Sequence, residues 1–259
     1  MVLPWVIGVP RGWAEAPERA ISAFEAYEAK VETRLAAQHR SAREFLADAE
    51  PGADAVARLR RGEVVIDKLS PDKGDVPGGM LHHWRGSAFV KGAKAADFER
   101  LMKNLSAYPQ MYSPQVESAA IVPPRSGPAP DHFIATMRVK QKHVITVVMD
   151  TTYDVTYGRL DSRHGYSASR STKIAEIDDA GTEKERALPP DKEHGYLWRL
   201  NTYWSYEERD GGLYMQIESI SLTRGVPAGL GWAIGPFVES VPRESLEFTL
   251  SNTCKALKK

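Results

Sequence analysis

The sequence has a single cysteine, Cys254, so no disulfide bond can form within the chain. A scaffold held together by disulfide bonds is therefore excluded. No run of about 18 apolar residues occurs, which predicts that the chain has no membrane-spanning segment. Neither sign of charge is in excess, because 34 Lys and Arg balance 34 Asp and Glu. A dedicated nucleic-acid-binding protein would show a basic excess, so we expect no nucleic acid partner.

Catalytic signatures are missing as well. The chain has no Gly-x-Ser-x-Gly elbow and no dinucleotide fingerprint. The glycine-rich residues 225–231 lack the lysine and the hydroxyl residue of a phosphate-binding loop. His82 and His83 are adjacent, but neighbouring residues on a strand point to opposite faces, so the two cannot bind one metal ion together. We therefore predict no metal and no cofactor, and the sequence names no catalytic residue.

Residues 1–75 are predicted to form a helical extension of the main domain, residues 76–259. Apolar residues recur at steps of three, four and seven between residues 17 and 46, which predicts a long amphipathic helix. They are Ile21, Phe24, Val31, Leu35, Ala42 and Phe45. A short helix at residues 53–61 and a short strand at residues 63–69 are expected to follow. The apolar stripe of the long helix must pack on the main domain or on a second copy of the chain in a homodimer.

The first residues allow two interpretations. Residues 2–9 form an apolar run, and Ala14-Glu15-Ala16 resembles the small-x-small cleavage site of a signal peptide. Pro4 interrupts the run, however, and no basic residue precedes it. The segment is expected to be either an apolar arm packed on the domain or part of a signal peptide. The sequence leaves both an exported and a cytoplasmic location open.

From residue 116 onward the hydrophobic pattern has a period of two, which is typical of strands. The strands are predicted at residues 116–122, 132–140, 144–157, 165–177, 196–208 and 213–223. An earlier strand is predicted within residues 80–92, followed by a helix that Pro109 interrupts. Because short polar turns join long neighbouring strands, we expect an antiparallel meander of about seven strands.

The chain closes with an apolar helix that contains Pro236 and Pro242. A proline inside a helix costs about 3 kcal/mol. Burial of the apolar residues on one face contributes about 1.5–3 kcal/mol for each large side chain, which outweighs that cost. We therefore predict two helical segments with a kink or break near the prolines.

This order of elements resembles the START-like superfamily, also called SRPBCC or helix-grip proteins. Three segments within residues 79–259 carry the resemblance: DFERLMKNLSAYPQMYSPQVESAAIV, GGLYMQIESISLTRGVP, and the terminal helix with its Pro-Arg-Glu-Ser-Leu sequence. The resemblance implies an α+β helix-grip fold, in which a curved antiparallel sheet wraps on a long kinked C-terminal helix. It also implies a deep, mostly apolar cavity between the sheet and that helix. The N-terminal part matches no standard element of the superfamily.

Candidate ligand contacts follow from this implied cavity. The residues predicted to line it are Trp84, Tyr112, Tyr153, Tyr203, Phe237 and Val241. Arg199 shares one face of its strand with Tyr203, and an arginine directed into an apolar cavity requires a carboxylate partner. Glu218, on the next strand, is the natural candidate, and we predict that Arg199 and Glu218 orient the ligand. Residues 108–114, with the turn before the final helix, are predicted to form the gate.

Three functions are consistent with the sequence. The first is binding of an apolar small molecule or lipid in the cavity, as in a carrier or sensor. The second is a cyclase-like or hydrolase-like enzyme on the same fold, which requires titratable groups that converge in the cavity. The third is a structural or interaction protein that docks through its N-terminal helix. The pattern favours the first, because the fold implies a hollow and no catalytic motif is present.

Overall fold

The computed structural model describes residues 16–47, 53–70, 75–123, 130–142, 146–225 and 231–258. The apolar run at residues 2–9 lies outside these ranges. The N-terminal part contains two helices, α1 at Glu18–Gln38 and α2 at Ala53–Arg60, and then the short strand β1 at Val65–Lys68.

Long antiparallel strands make up most of the remaining chain. In chain order the strands are β2 Asp75–Val76, β3 Gly79–Lys91, β4 Val116–Val122, β5 His132–Lys142, β6 Thr146–Arg159, β7 His164–Asp178, β8 Arg186–Ala187, β9 Arg199–Arg209 and β10 Gly212–Thr223. Helix α3, Ala95–Lys103, and the single turn α4, Tyr108–Met111, lie between β3 and β4. The six strands predicted from residue 116 onward are confirmed to within a few residues.

The strands form one antiparallel sheet in the order β1-β3-β10-β9-β7-β6-β5-β4. The two-residue strands β2 and β8 pair with β3 and β7 and bring the total within the described residues to ten. The sequence predicted the seven long strands, and β1 as a separate strand of the N-terminal part. Because β1 pairs with β3, this strand of the N-terminal part continues the edge of the main sheet. The division of the chain near residue 75 stays a prediction.

The chain ends in helix α5, Gly231–Leu257, which lies against β3 and β10. It is one continuous α-helix that includes both Pro236 and Pro242. The two helical segments predicted from the sequence are therefore parts of one helix. The fully buried Leu250 and the nearly buried Leu246 fix its C-terminal half on the sheet. This apolar packing offsets the backbone hydrogen bonds that the prolines cannot donate.

The two faces of the sheet pack against different helices. We call the face toward α5 the inner face and the face toward α1 the outer face. The inner core contains Phe98, Trp204, Tyr206, Leu213, Met215 and Leu250. The outer core joins residues of α1 to side chains of β3, β9 and β10, namely Ala20, Phe24, Val31, Leu35, Leu81, Tyr203, Ile220 and Leu222. Successive side chains of a strand alternate between the faces, so the central strands are apolar on both sides.

Helix α1 ends at Gln38, whereas the sequence predicted a helix over residues 17–46. After Gln38 the chain turns, and the fully buried Phe45 packs in a small core with Phe89 and Tyr214 of the outer face. Phe45 fits the helical spacing in the sequence, but in the structure it lies beyond the end of α1 and packs on the sheet. Its burial against the sheet favours the turn over another turn of helix.

Candidate functional site

Trp84 is the most informative residue of the inner face. It lies on β3, is half-buried, and packs against the inner core. Its indole Nε1 is buried and has no hydrogen-bond partner among the residues that the structure describes. A buried N–H group without a partner costs about 1–3 kcal/mol. Such a donor is satisfied when a ligand places an acceptor oxygen or nitrogen beside it.

Tyr112 and Tyr153 are also predicted site residues that belong to the inner core. The hydroxyl of Tyr112 lies 2.9 Å from Oγ1 of Thr253 on α5. Burial raises the pKa of Tyr112 well above its usual value and raises the pKa of Tyr153 to about 12. Both phenols are therefore neutral at ordinary pH, and they add hydrogen-bonding groups to an apolar surface without adding charge.

The two predicted contacts on α5 are only partly described. Val241 is half-buried on the helix. The side chain of Phe237 lies outside the described part, although its backbone is helical. The inner-face group of predicted residues therefore consists of Trp84, Tyr112 and Tyr153, with Val241 on the helix that faces them.

The remaining predicted residues lie on the other side of the sheet. Tyr203 is buried against α1 and donates a hydrogen bond to Glu32, 3.0 Å away. Glu218 accepts hydrogen bonds from Arg34 of α1 and from His83 of β3. Arg199 shares the strand face of Tyr203, and its Nη1 donates to the carbonyl oxygen of Trp198.

The expected pairing of Arg199 with Glu218 is therefore replaced by a pairing of Arg34 with Glu218. The physical reason is strand alternation, because Trp204 and Tyr206 occupy the inner face and force Tyr203 outward. Arg199, Tyr203 and Glu218 consequently do not line the space between the sheet and α5. Their role as ligand contacts stays a prediction of the sequence.

A cluster of polar side chains lies on the outer face, and of its members only Glu218 was predicted as a site residue. His83 and Glu218 are each 3% exposed, and Nε2 of His83 lies 2.9 Å from Oε2 of Glu218. The other ring nitrogen, Nδ1, lies 2.9 Å from the hydroxyl of Tyr27 on α1. Arg34, two turns further along α1, forms an ion pair with the same Glu218 oxygen. The signal in the sequence was the 3.6-residue periodicity that places Tyr27 and Arg34 on one side of a helix.

Beside this group lies a cavity of about 710 Å³, which we call the outer groove. Its walls come from α1, the residues after α1, Leu69 just after β1, and β3. The residues that line it are Tyr27, Lys30, Val31, Arg34, Gln38, Glu44, Leu46, Ala47, Leu69, His83 and Arg85. Cavities of this size accommodate small molecules.

The electrostatics of the group follow from its contacts. Burial alone would raise the pKa of Glu218, but the hydrogen bonds from His83 and Arg34 bring it below its ordinary value. Burial, together with the nearby Glu218 charge, raises the pKa of Tyr27. Nε2 of His83 is hydrogen-bonded to the Glu218 carboxylate, and Nδ1 is hydrogen-bonded to the hydroxyl of Tyr27. The chain of hydrogen bonds therefore runs from Tyr27 through His83 to Glu218.

Two further properties concern the described residues alone. Among them, no group of three or more His, Cys, Asp and Glu side chains is arranged to hold a metal ion. None of their helices combines the length and the apolar character needed to cross a membrane.

The sheet order, the long antiparallel meander and the C-terminal helix on the inner face define a START-like, helix-grip fold. The fold class implied by the sequence resemblance is thus confirmed. No family model matches the sequence, and no curated protein matches it.

Solved structures with a similar fold include a STAR-related lipid transfer protein from Xanthomonas axonopodis, with 15% identity and a TM-score of 0.45 over 75% of this chain and 99% of that chain. A START superfamily protein from Mycobacterium smegmatis has 13% identity and a TM-score of 0.45, over 68% and 97% of the two chains. The Zhui aromatase/cyclase from a Streptomyces species has 13% identity and a TM-score of 0.41, over 68% and 93%. At these identities the likeness concerns the fold alone.

Proposed function

We propose that the chain binds an apolar small molecule or lipid between the inner face of the sheet and α5. The observation that carries the proposal is the buried indole N–H of Trp84, which has no hydrogen-bond partner in the described part of the chain. The inner face around it is apolar, and a ligand with an apolar body would bury further surface there. An acceptor atom on that ligand would satisfy the indole donor and fix the ligand's orientation.

The chemical class of the ligand follows from the donors that face it. Tyr112 and Tyr153 are neutral, and Trp84 can only donate, so the inner face favours an uncharged acceptor such as an ester or ketone oxygen. A charged head group would lose its hydration there without an ionic partner among these residues. The proposed ligand is therefore a neutral apolar molecule with one carbonyl-type oxygen.

The other two functions have less support. An acid–base enzyme at the inner face needs two titratable groups that share a hydrogen bond with a substrate, whereas burial keeps Tyr112 and Tyr153 neutral. An interaction protein that docks through the apolar stripe of α1 needs that stripe uncovered. Phe24, Val31 and Leu35 of the stripe are instead buried against the sheet.

The proposal is tested by recovering a ligand and by removing the indole donor. Mass spectrometry of an organic extract of the purified protein should reveal a neutral apolar compound. After the compound has been removed, calorimetric titration with methyl decanoate should show binding. Trp84→Phe should weaken that binding about tenfold, because the ester oxygen loses one buried hydrogen bond.

Trp198→Phe is the matched control, because Trp198 packs in the outer core. It should leave methyl decanoate affinity within about twofold of the unchanged protein. The proposal is overturned if no compound is extracted and methyl decanoate does not bind. Equal losses in the two tryptophan variants would place the ligand elsewhere and would also overturn it.

A further inference from the structure

The outer groove combines apolar walls with a cationic rim. Val31, Leu46 and Leu69 supply apolar surface. The charged residues among the described lining are Lys30, Arg34, Glu44 and Arg85. Arg34 pairs with the buried Glu218, and Arg85 lies 3.7 Å from Asp67. An apolar cavity with a few polar groups is the usual form of a small-molecule site. Lys30 and the exposed part of the Arg34 guanidinium offer hydrogen-bond donors to a negatively charged head group.

Hydrogen bonds to buried side chains of the sheet fix the positions of Arg34 and Tyr27. Glu218 and His83 are almost completely buried, and they bind the guanidinium of Arg34 and the hydroxyl of Tyr27. Gln38 accepts a second hydrogen bond from Arg34 at 2.6 Å. The Arg34 side chain nevertheless remains 40% exposed, so its guanidinium is both fixed and accessible. A polar group that is already oriented loses little entropy when a ligand binds.

The Arg34–Glu218 ion pair sets the net charge that a ligand meets. Its two charges cancel, so the pair itself adds no net charge to the groove. Lys30 then stands at the rim as an exposed cation one turn before Arg34. A carboxylate head placed between Lys30 and Arg34 would gain charge-assisted hydrogen bonds without displacing the buried pair.

From this arrangement we propose that the outer groove is a second ligand site, which binds an amphipathic organic anion. The carboxylate head would contact Lys30 and Arg34, and the apolar body would lie on Val31, Leu46 and Leu69. The hydroxyl of Tyr27, which is hydrogen-bonded to Nδ1 of His83, adds a polar group to the same wall of the groove. This site is separate from the inner face, since the sheet lies between them.

The test compares decanoate with 1-decanol, which has the same apolar chain without the charge. Calorimetric titration of the unmodified full-length protein should show decanoate binding at least about fivefold tighter than decanol. Lys30→Glu should weaken decanoate about fivefold, because an attraction becomes a repulsion. Ala47→Trp should weaken it about tenfold or more by filling the groove, and circular dichroism should report an intact fold.

Two control variants test whether weaker decanoate binding arises from the outer groove. Lys91→Glu makes the same charge change on an exposed residue at the end of β3 and should leave decanoate affinity unchanged. Trp84→Phe, which affects the inner face, should also leave it unchanged. The proposal is overturned if Lys30→Glu binds decanoate like the unmodified protein. It is equally overturned if Trp84→Phe alone abolishes binding, which would place decanoate at the inner face. Lys30→Glu decides the outcome even if Ala47→Trp fails to fold.

Discussion

His39 shows how burial at a single position links stability to pH. Its Nε2 lies 2.8 Å from the hydroxyl oxygen of Ser205, and its ring stacks on Tyr166 with centroids 4.2 Å apart. Phe45 encloses it from another side. Burial lowers the pKa of His39 to about 4, because the charged ring would lose its hydration. The residue is therefore neutral in the folded protein at any pH above about 4.

This lowered pKa predicts a loss of stability in weak acid. Between about pH 6.5 and 4, the unfolded chain binds a proton at His39 and the folded chain does not. Because the unfolded state then holds more protons, the free energy of unfolding falls as the pH falls. We expect His39 to account for a loss of about 1–2 kcal/mol between pH 7 and pH 5. Urea unfolding at the two pH values measures it.

His39→Gln provides the comparison, because the amide can still bond to Ser205 but does not titrate. Between pH 7 and pH 5, the free energy of unfolding of this variant should fall by about 1–2 kcal/mol less than that of the unchanged protein. An identical pH dependence in both proteins would show that His39 is accessible to protons in the folded state.

Individual site residues were predicted only in part, and β9 shows why. Period-two alternation correctly separates Tyr203 from Trp204. Both parities carry large side chains, however, because one face of the strand meets the inner core and the other meets α1. Alternation alone cannot say which parity faces which helix. Trp84, Tyr153, Tyr203 and Glu218 were all predicted to face the cavity. The structure has Trp84 and Tyr153 on the inner face, and Tyr203 and Glu218 on the outer face.

At the level of elements, α1 is bound to the sheet by polar contacts as much as by apolar ones. Glu28 accepts from Asn201 at 2.7 Å, and Glu32 accepts from Arg170 at 2.6 Å. Arg34 pairs with the buried Glu218. These contacts involve residues far apart in sequence. Local periodicity predicted the helix, but it could not predict these partners or the end at Gln38.

The Arg34–Glu218 pair predicts a specific cost for one substitution in α1. Arg34→Ala removes an ionic partner and leaves the carboxylate of Glu218 buried, with His83 as its remaining partner among the contacts described above. Breaking a fully buried pair costs about 3–5 kcal/mol. Because the Arg34 side chain is 40% exposed, we expect a smaller loss, about 1–3 kcal/mol in the free energy of unfolding. Chemical denaturation at pH 7 measures it.

Lys30→Ala is the matched control, since it removes the same charge from the same helix one turn earlier. Lys30 is exposed, so its removal should change stability by less than about 0.5 kcal/mol. Equal effects of the two substitutions would contradict the inference that the ion pair with Glu218 anchors α1.

At the scale of the whole molecule, the sheet is covered by a different helix on each of its two faces. The inner face meets α5 and the outer face meets α1, so β3 and β10 are buried on both sides. The meander from β4 to β10 could be predicted, because each turn joins neighbours in sequence. The pairing of β3 with β10 could not be predicted from local pattern, since it joins Gly212 to Lys91 across most of the domain. The resemblance to helix-grip proteins implied one curved antiparallel sheet but named no partner for β3.

This layered arrangement predicts what happens when the outer layer is removed. Deleting residues 1–61 eliminates α1 and α2 and keeps β1 on the sheet edge. Leu81, Ile220 and Leu222 lose their cover, and Glu218 loses Arg34. At about 1.5–3 kcal/mol for each large apolar side chain, the loss is on the order of 5–10 kcal/mol. That is comparable with the entire stability of an ordinary domain.

We therefore expect the truncated chain to aggregate or to elute at a larger apparent size than the full chain in size-exclusion chromatography. Its thermal unfolding should begin at a lower temperature, because the exposed outer face no longer packs on α1. Glu25→Ala, a change on the exposed side of α1, should reproduce the full-length behaviour. A truncated chain that keeps the size and melting temperature expected of a folded monomer would mean that α1 does not stabilise the sheet. The apolar stripe of α1 would then be available to a second copy, as the homodimer prediction requires.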